Sequence, residues 1–390
     1  MPFKVLIVDD EPDLEVLIRQ RFRKKIKDGE FEFSFARNGQ EALNIVEEDP
    51  TLDVVMSDIN MPVMDGLTLL SRLADVNRIL KTVIVSAYGD MENIRAAMNR
   101  GAYDFLVKPI DFQDLEVTLN RTIQELQTIK KGLRAREELA AIQHELGVAA
   151  RIQQSMLPSQ FPAFPERTEF EIYAQMVRAK EVGGDFYDFF LIGEDLLGFA
   201  IGDVAGKGVL ASISMAVCRT LLKATAMQGI LPGECLKYVN DVLTRQGDSP
   251  LFVMMFYGIL HTNTGELEYC IAGHTRPYIL SNAGFLTTLD EPAGMMAGAF
   301  EHATFETGRT ILNKNDSIFL FTDGITEAVD TMGNCFSKQR LCGLLERWRG
   351  NPAEEIVANV MSEVSAFSGN APQLDDFTVM ALKYAGTRAD

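Results

Sequence analysis

Histidine is scarce in this chain of 390 residues, at four, and cysteine is held to five with no pair at CxxC spacing. A zinc site of thiolates and imidazoles therefore has no framework, and an odd, irregular cysteine set gives no disulfide scaffold. Cys218, Cys235, Cys270, Cys335 and Cys342 read as reduced, buried thiols. Positive charge is also short. Lysine and arginine number 37 against 55 acidic residues, a formal charge of −18. This argues against nucleic acid and anionic membrane as partners, because both are bound by basic side chains that displace counterions. No apolar run approaches the ~20 residues of a membrane span, and the first hydrophobic run, Val5 to Val8, stops at two aspartates, unlike a signal peptide. The expected location is the cytoplasm.

What the sequence does have is aspartate at the ends of β-rich runs. Its length suggests two or three domains. In the first, KVLIV, FEFSFA, DVVMS, TVIVSA and DFLV alternate with amphipathic stretches, the pattern of an α/β doubly wound, parallel five-stranded sheet. Ligands of such sheets bind beyond the carboxyl ends of the strands. There the sequence places Asp9 and Asp10, then Asp58, Ser86 and Lys108. Crowded carboxylates need a divalent cation, and an all-oxygen shell suits Mg²⁺. Asp58 can then accept a phosphoryl group, with Lys108 and Ser86 on its oxygens.

VDDEPD, MSDINMPVMDG, VSAYGD and FLVKP resemble the motifs of bacterial response-regulator receiver domains, which are flavodoxin-like, over about residues 3 to 122. The resemblance implies Asp58 as the phosphoacceptor, Asp9, Asp10 and Asp58 as Mg²⁺ carboxylates, and Asn60 as a ligand through its backbone carbonyl. It also implies a sensor histidine kinase or phosphotransfer protein as partner. Phe105 stands where many members carry an aromatic residue with a hydroxyl, which removes one hydrogen bond from the switch.

From Phe112 to Met156 there is no proline, and the stretch reads as one long helix. Leu119, Thr122, Leu126, Ile129 and Leu133 recur at three and four residues, and after a hitch so do Leu139, Ile142, Leu146 and Ala149. The expectation is a coiled-coil seam joining a parallel homodimer, with packing against the chain's own domains as the alternative. The expected boundaries are a receiver at 1–122, a helical linker at 123–157 and a second domain at 158–390.

The second domain reads as long β-rich runs with helical blocks at 209–227, 233–246, 338–349 and 352–367, an α+β antiparallel β-sandwich flanked by helices. Asp185 lies in EVGGDFYD, Asp203 in IGDVAGKG, Asp323 in LFTDGITEA, and Asp375 with Asp376 in QLDDFTVM. IGDVAGKG lacks the GxxxxGK[ST] spacing of a phosphate loop, so Asp203 points to metal. GGDFYD begins like the GGDEF signature of diguanylate cyclases, but Phe186 stands where that signature has an acid. Four spaced aspartates can hold two Mn²⁺ or Mg²⁺ ions ~3.5–4 Å apart around an activated water that attacks phosphorus. His261, His274 and His302 are isolated, with His274 in AGHTRP nearest the expected pocket.

GGDFYD, GDVAGKG, FYGIL, AGHTRP, TDGITEA and DDFTV, in that order, resemble the SpoIIE-like branch of the PPM protein phosphatases, which includes RsbU-type regulators. The resemblance implies Asp203 as the bridging ligand with the Val204 carbonyl beside it, and Asp185, Asp323 and Asp375 as further metal ligands. Asp376 is the adjacent candidate. Leu210, where proline is common, and Thr275-Arg276, in place of Asn-Pro, are departures outside the metal set. The implied activity is a serine/threonine phosphatase controlled by aspartyl phosphorylation, acting on a phosphorylated STAS-type anti-sigma-factor antagonist. A non-catalytic adaptor that sequesters a regulator is the rival reading.

Overall fold

The computed structural model describes residues 2–76, 79–87, 90–245, 252–290 and 294–386. The chain divides into two compact units, Met1–Ile142 and Gln143–Asp390.

In the first unit, strands β1 (Phe3–Val8), β2 (Phe31–Ala36), β3 (Val54–Asp58), β4 (Lys81–Ala87) and β5 (Asp104–Lys108) form a parallel sheet in the order β2-β1-β3-β4-β5. Helices α1 (Pro12–Arg21), α2 (Arg23–Lys27), α3 (Gly39–Glu48), α4 (Gly66–Ala74) and α5 (Met91–Asn99) connect them, and α6 (Phe112–Met156) follows. Strand β1 shows why its run from Val5 to Val8 is apolar without alternation. Val5 and Ile7 pack with Ile18, Phe22, Leu115 and Leu119 on one face, while Leu6 and Val8 pack with Ala42, Val46 and Leu69 on the other. Asn38, Asp65 and Asp90 cap α3, α4 and α5 by accepting backbone N–H groups in the first turn. The order reverses between β1 and β3, which opens a crevice at their carboxyl ends.

Helix α6 has the expected bounds, but three of the nine expected seam residues, Leu119, Thr122 and Leu126, have another use. Leu119, Ile123 and Leu126 belong to the core of the first unit, and Thr122 is fully buried. Apolar spacing on a helix reports a buried face without naming its partner, and here the partner is the chain's own sheet. From Lys131 to Glu145 every side chain is exposed, Leu133, Leu139 and Ile142 included.

The second unit stacks two five-stranded antiparallel sheets, ordered β13-β10-β9-β8-β7 and β12-β11-β14-β15-β6. Their strands are β6 (Phe170–Val177), β7 (Asp185–Ile192), β8 (Leu196–Val204), β9 (Val253–His261), β10 (Glu266–Ala272), β11 (Tyr278–Leu280), β12 (Leu286–Thr288), β13 (Gly308–Ile311), β14 (Ser317–Phe321) and β15 (Phe377–Tyr384). Between the sheets, Phe199 and Tyr257 of one meet Ile318, Met380 and Leu382 of the other in one core. Helices α7 (Val209–Ala226) and α8 (Pro232–Thr244) cover the first sheet. After the short α9 (Asp323–Glu327), α10 (Lys338–Arg347) and α11 (Ala353–Ser368) build a second core on the outer face of the second sheet.

Helix α7 is long and apolar enough by composition to cross a membrane. It buries Ala211, Met215, Cys218, Leu222 and Ala226, one helical face, in the unit's own fold. Arg219, on the same helix, pairs with the buried Asp188 of β7 at 2.8 Å. The segments β12, β13 and α9, of three, four and five residues, were not expected from the sequence, being too short to show a period. The expected end of the 233–246 block, Gln246, lies outside the described residues. The thiols also need correction: Cys218, Cys235 and Cys270 are buried, but Cys335 is exposed and Cys342 half-buried.

Candidate functional site

Two acidic centres form, one in each unit. In the first, Asp9 and Asp10 follow β1 and Asp58 ends β3, and each offers an oxygen within 4.8 Å of the others. Lys108, at the end of β5, places its Nζ 2.8 Å from Asp58 Oδ2, 2.9 Å from Asp9 Oδ2 and 3.3 Å from Glu11. Partial burial opposes the Lys108 charge, but the bonds to Asp58 and Asp9 outweigh it and hold its pKa above the ordinary value. The Asp58 carboxylate also accepts the Ile59 N–H at 2.7 Å. Ser86 is buried on β4, and its hydroxyl has no hydrogen-bond partner among the described residues. Asn60 lies exposed two residues past Asp58. The strand ends thus carry acids, hydroxyl and ammonium at the sheet's carboxyl edge, and the acids with Lys108 form one contact network.

The second centre begins with a cross-strand pair of acids. Asp185, the first residue of β7, is in register with Asp203 near the end of β8. Like charges directly opposite each other destabilise a sheet, so this pairing needs an external reason. Asp323 opens α9, and Asp375 and Asp376 precede β15. Burial, and then Asp203 and Asp376, push the Asp185 carboxyl well above the usual range. Burial, Asp323 and Asp375 raise Asp203 to about 7. Asp323 is raised by burial and by Asp375. The five acids therefore share one field, and their all-oxygen donor set fits a hard divalent cation.

The adjacent acids Asp375 and Asp376 separate in role. Asp376 accepts the N–H of Ala179 at 2.8 Å, of Gly184 at 2.9 Å and of Asp185 at 3.4 Å. It fastens the loop ahead of β7. That loop fits closely: a Cβ on Gly183 would lie 2.0 Å from Asp376 Oδ2, and one on Gly324 would lie 2.1 Å from the Asp376 carbonyl oxygen. Both acids line the pocket with Asp203, Lys180 and Lys207, but Asp375 is the more exposed, and its Oδ2 meets Lys207 Nζ at 2.8 Å. The Val204 carbonyl faces Gly184, where an added Cβ would approach it to 2.8 Å.

Sequence reading missed four contributors. Thr322 and Thr378 both donate hydroxyl hydrogen bonds to Asp185 Oδ2, at 2.7 and 2.5 Å, and fix its orientation. Both stand within two residues of an acid already singled out, which was the available signal. Lys207 lies inside GKG. Gln153, on the last turns of α6, is buried and closes on Gly183, donating from Nε2 to its carbonyl at 2.6 Å and accepting its N–H on Oε1 at 3.2 Å. His274 is buried, and burial lowers its pKa to about 4; its ring contacts Thr275. Thr275 in turn donates to the Phe321 carbonyl at 2.5 Å, one residue before Thr322.

Residues 193–385 match the family described as stage II sporulation protein E (SpoIIE), and residues 5–120 match the response regulator receiver domain. Phosphoserine phosphatase RsbU of Bacillus subtilis is 28% identical over 280 residues, 72% of this chain and 78% of that protein. Protein IcfG of Synechocystis is 29% identical over 266 residues, 61% of this chain, and the match spans 41% of its length. Among solved structures, the SiaA-PP2C domain of Pseudomonas aeruginosa superposes with a TM-score of 0.56 at 18% identity, covering 63% of this chain and 98% of that one. That last likeness is one of fold. The sheet order and strand-end acids of the first unit, and the paired sheets of the second, agree with both matches: the chain joins a response regulator receiver domain at residues 5–120 to a SpoIIE-family PPM phosphatase domain at residues 193–385.

Proposed function

We propose that this chain is a metal-dependent phosphatase of phosphoserine and phosphothreonine whose rate is set by phosphorylation of Asp58. The observation that carries the reading is the grouping of acids around Asp203: Asp185 stands in cross-strand register with it, Asp375 and Asp376 line the same pocket, and Asp323 is a charge neighbour. Asp203 with the Val204 carbonyl, and Asp185, Asp323 and Asp375, would hold two Mn²⁺ or Mg²⁺ ions. Asp376 acts beside them as the anchor of the Gly183-Gly184 loop. Bound divalent ions supply positive charge to the phosphoryl oxygens and make the attacking water more acidic. The chain's own part is to orient the acids, with Thr322 and Thr378 on Asp185 and Asp376 on the loop. In hydrolysis a water oxygen bonds to phosphorus, the P–O bond to the serine breaks, and the serine oxygen takes a proton.

In the receiver, Asp9, Asp10, Asp58 and the Asn60 carbonyl would hold Mg²⁺. The Asp58 carboxylate attacks phosphorus, and the bond from phosphorus to the donor, a sensor histidine kinase or phosphotransfer protein, breaks. Lys108 neutralises the phosphoryl oxygens, and the Ser86 hydroxyl gains a partner that it lacks among the described residues. The contact of Gln153 with Gly183 supports coupling through α6, a helix of 45 residues and about 65 Å. The exposed Leu133, Leu139 and Ile142 support a parallel homodimer along the linker. The family resemblance supports a STAS-type anti-sigma-factor antagonist as the phosphorylated substrate, and a cytoplasmic setting. The intact acid set argues against the adaptor reading.

The test is hydrolysis of a phosphoserine protein at saturating Mn²⁺ by the parent, Asp203→Asn and Asp58→Ala, with acetyl phosphate present or absent. Hydrolysis lost in Asp203→Asn, and a response to acetyl phosphate lost in Asp58→Ala, is the expected result. A folded Asp203→Asn protein with parental activity would sink the reading.

A further inference from the structure

Lys207 is placed where two charges of opposite sign would claim it. Its ammonium touches Asp375 Oδ2 at 2.8 Å and the Leu374 carbonyl at 2.6 Å, while about half of the side chain remains exposed. It lines the pocket that also holds Asp203 and Asp375. The residues on either side are Gly206 and Gly208, at φ of 105° and 80°, conformations that glycine adopts without strain. A substituted Cβ would meet nothing within 4 Å at either glycine, so the loop has open space around it. A long, half-exposed ammonium on such a loop can leave its carboxylate without disturbing a packed core.

We propose that Lys207 is a transferable cation: it competes with a divalent ion for Asp375 and, once displaced, binds the phosphoryl group of the substrate. This deepens the phosphatase reading and rests on it. The same carboxylate oxygen cannot give its full charge to both an ammonium and a metal ion, so loading a metal at Asp375 weakens the lysine's hold there. The released ammonium stays at the pocket's rim, where an incoming phosphate dianion is the strongest available acceptor. Substrate phosphate thus meets a cation within reach of the carboxylates, and the lysine discriminates for a dianionic ester over a neutral group.

The test uses the full chain with Lys207→Met, which keeps the length and removes the charge, and Lys207→Arg, which keeps the charge. Calorimetric titration reads Mn²⁺ affinity first, then the affinity of the Mn²⁺-loaded protein for inorganic phosphate. Lys207→Met is expected to bind Mn²⁺ at least threefold more tightly and inorganic phosphate about tenfold more weakly, with Lys207→Arg near the parent in both. Unchanged or weaker Mn²⁺ binding in Lys207→Met overturns the competition, and unchanged phosphate binding overturns the transfer. Neither titration needs turnover. A parent that binds Mn²⁺ and phosphate but hydrolyses no p-nitrophenyl phosphate would therefore count against the phosphatase reading and leave the role of Lys207 to be decided by binding.

Discussion

Gln153 closes a two-bond ring with the backbone of Gly183, and with Arg178, which donates to the Ala150 carbonyl at 2.9 Å, it fastens the connector helix to the loop that carries Asp185. Replacing Gln153 with alanine strands a buried N–H and a buried carbonyl, at a cost of about 2 kcal/mol. We expect Gln153→Ala to melt lower and to hydrolyse phosphoserine at least tenfold more slowly at saturating Mn²⁺. Calorimetry and initial rates check this, and parental rates in a destabilised protein would show that the loop does not depend on the helix.

Asp375 and Asp376 should respond in opposite ways to substitution. Asp376→Ala removes the acceptor of three backbone N–H groups and is expected to cost about 2–4 kcal/mol of stability. Asp375→Ala gives up a half-exposed ion pair, worth under about 1 kcal/mol, and is expected to abolish tight Mn²⁺ binding instead. Denaturant unfolding beside Mn²⁺ titration separates the two, and an Asp376→Ala protein as stable as the parent would refute the anchoring role.

The buried His274 sets a direction for pH dependence. Its folded pKa of about 4 lies below the unfolded value near 6.5, so the unfolded chain takes up the proton first. Its contribution is fully present above about pH 6.5 and is lost as pH falls toward 4, by up to about 3 kcal/mol. The raised carboxyls of Asp185 and Asp203 act in the opposite sense. The comparison that isolates the histidine is His274→Gln against the parent: the variant should lose less stability between pH 6.5 and 4.5 in urea unfolding. Parallel curves would contradict this.

Thiol chemistry should follow burial. Burial pushes the Cys218, Cys235 and Cys270 thiols up to about 12, whereas Cys335 is exposed. Iodoacetamide at pH 8 is expected to label Cys335 first, with the three buried thiols labelled only on unfolding. Peptide mass spectrometry reads the order, and early labelling of Cys218 would show that α7 opens readily.

The sites were legible in the sequence to the extent that chemistry sits at strand ends. Asp9, Asp58, Asp185 and Asp203 each close or open an apolar run, so their convergence could be read before the strands were assembled. Asp375 and Asp376 could not be told apart, because what separates them is the partners each meets, Lys207 for the one and the N–H groups of Ala179 and Gly184 for the other. Those partners are brought up by the ladder between β15 and β6, a pairing across two hundred residues. Gln153 was hidden for another reason. A glutamine on a polar helix looks like a solvated side chain until the Gly183 loop is brought against it. The seam of α6 was read correctly as buried at Leu119 and Leu126, but the pattern could not say that the surface covering them was the receiver's own sheet.

The stretch of α6 from Lys131 to Glu145 has every side chain in water, and fifteen residues are about the length at which an isolated helix is marginal. Its order is borrowed from its two ends, one rooted in the receiver core and the other pinned at Gly183. The segment thereby becomes a fuse: a proline at Ala135 would break the helical run between those two ends.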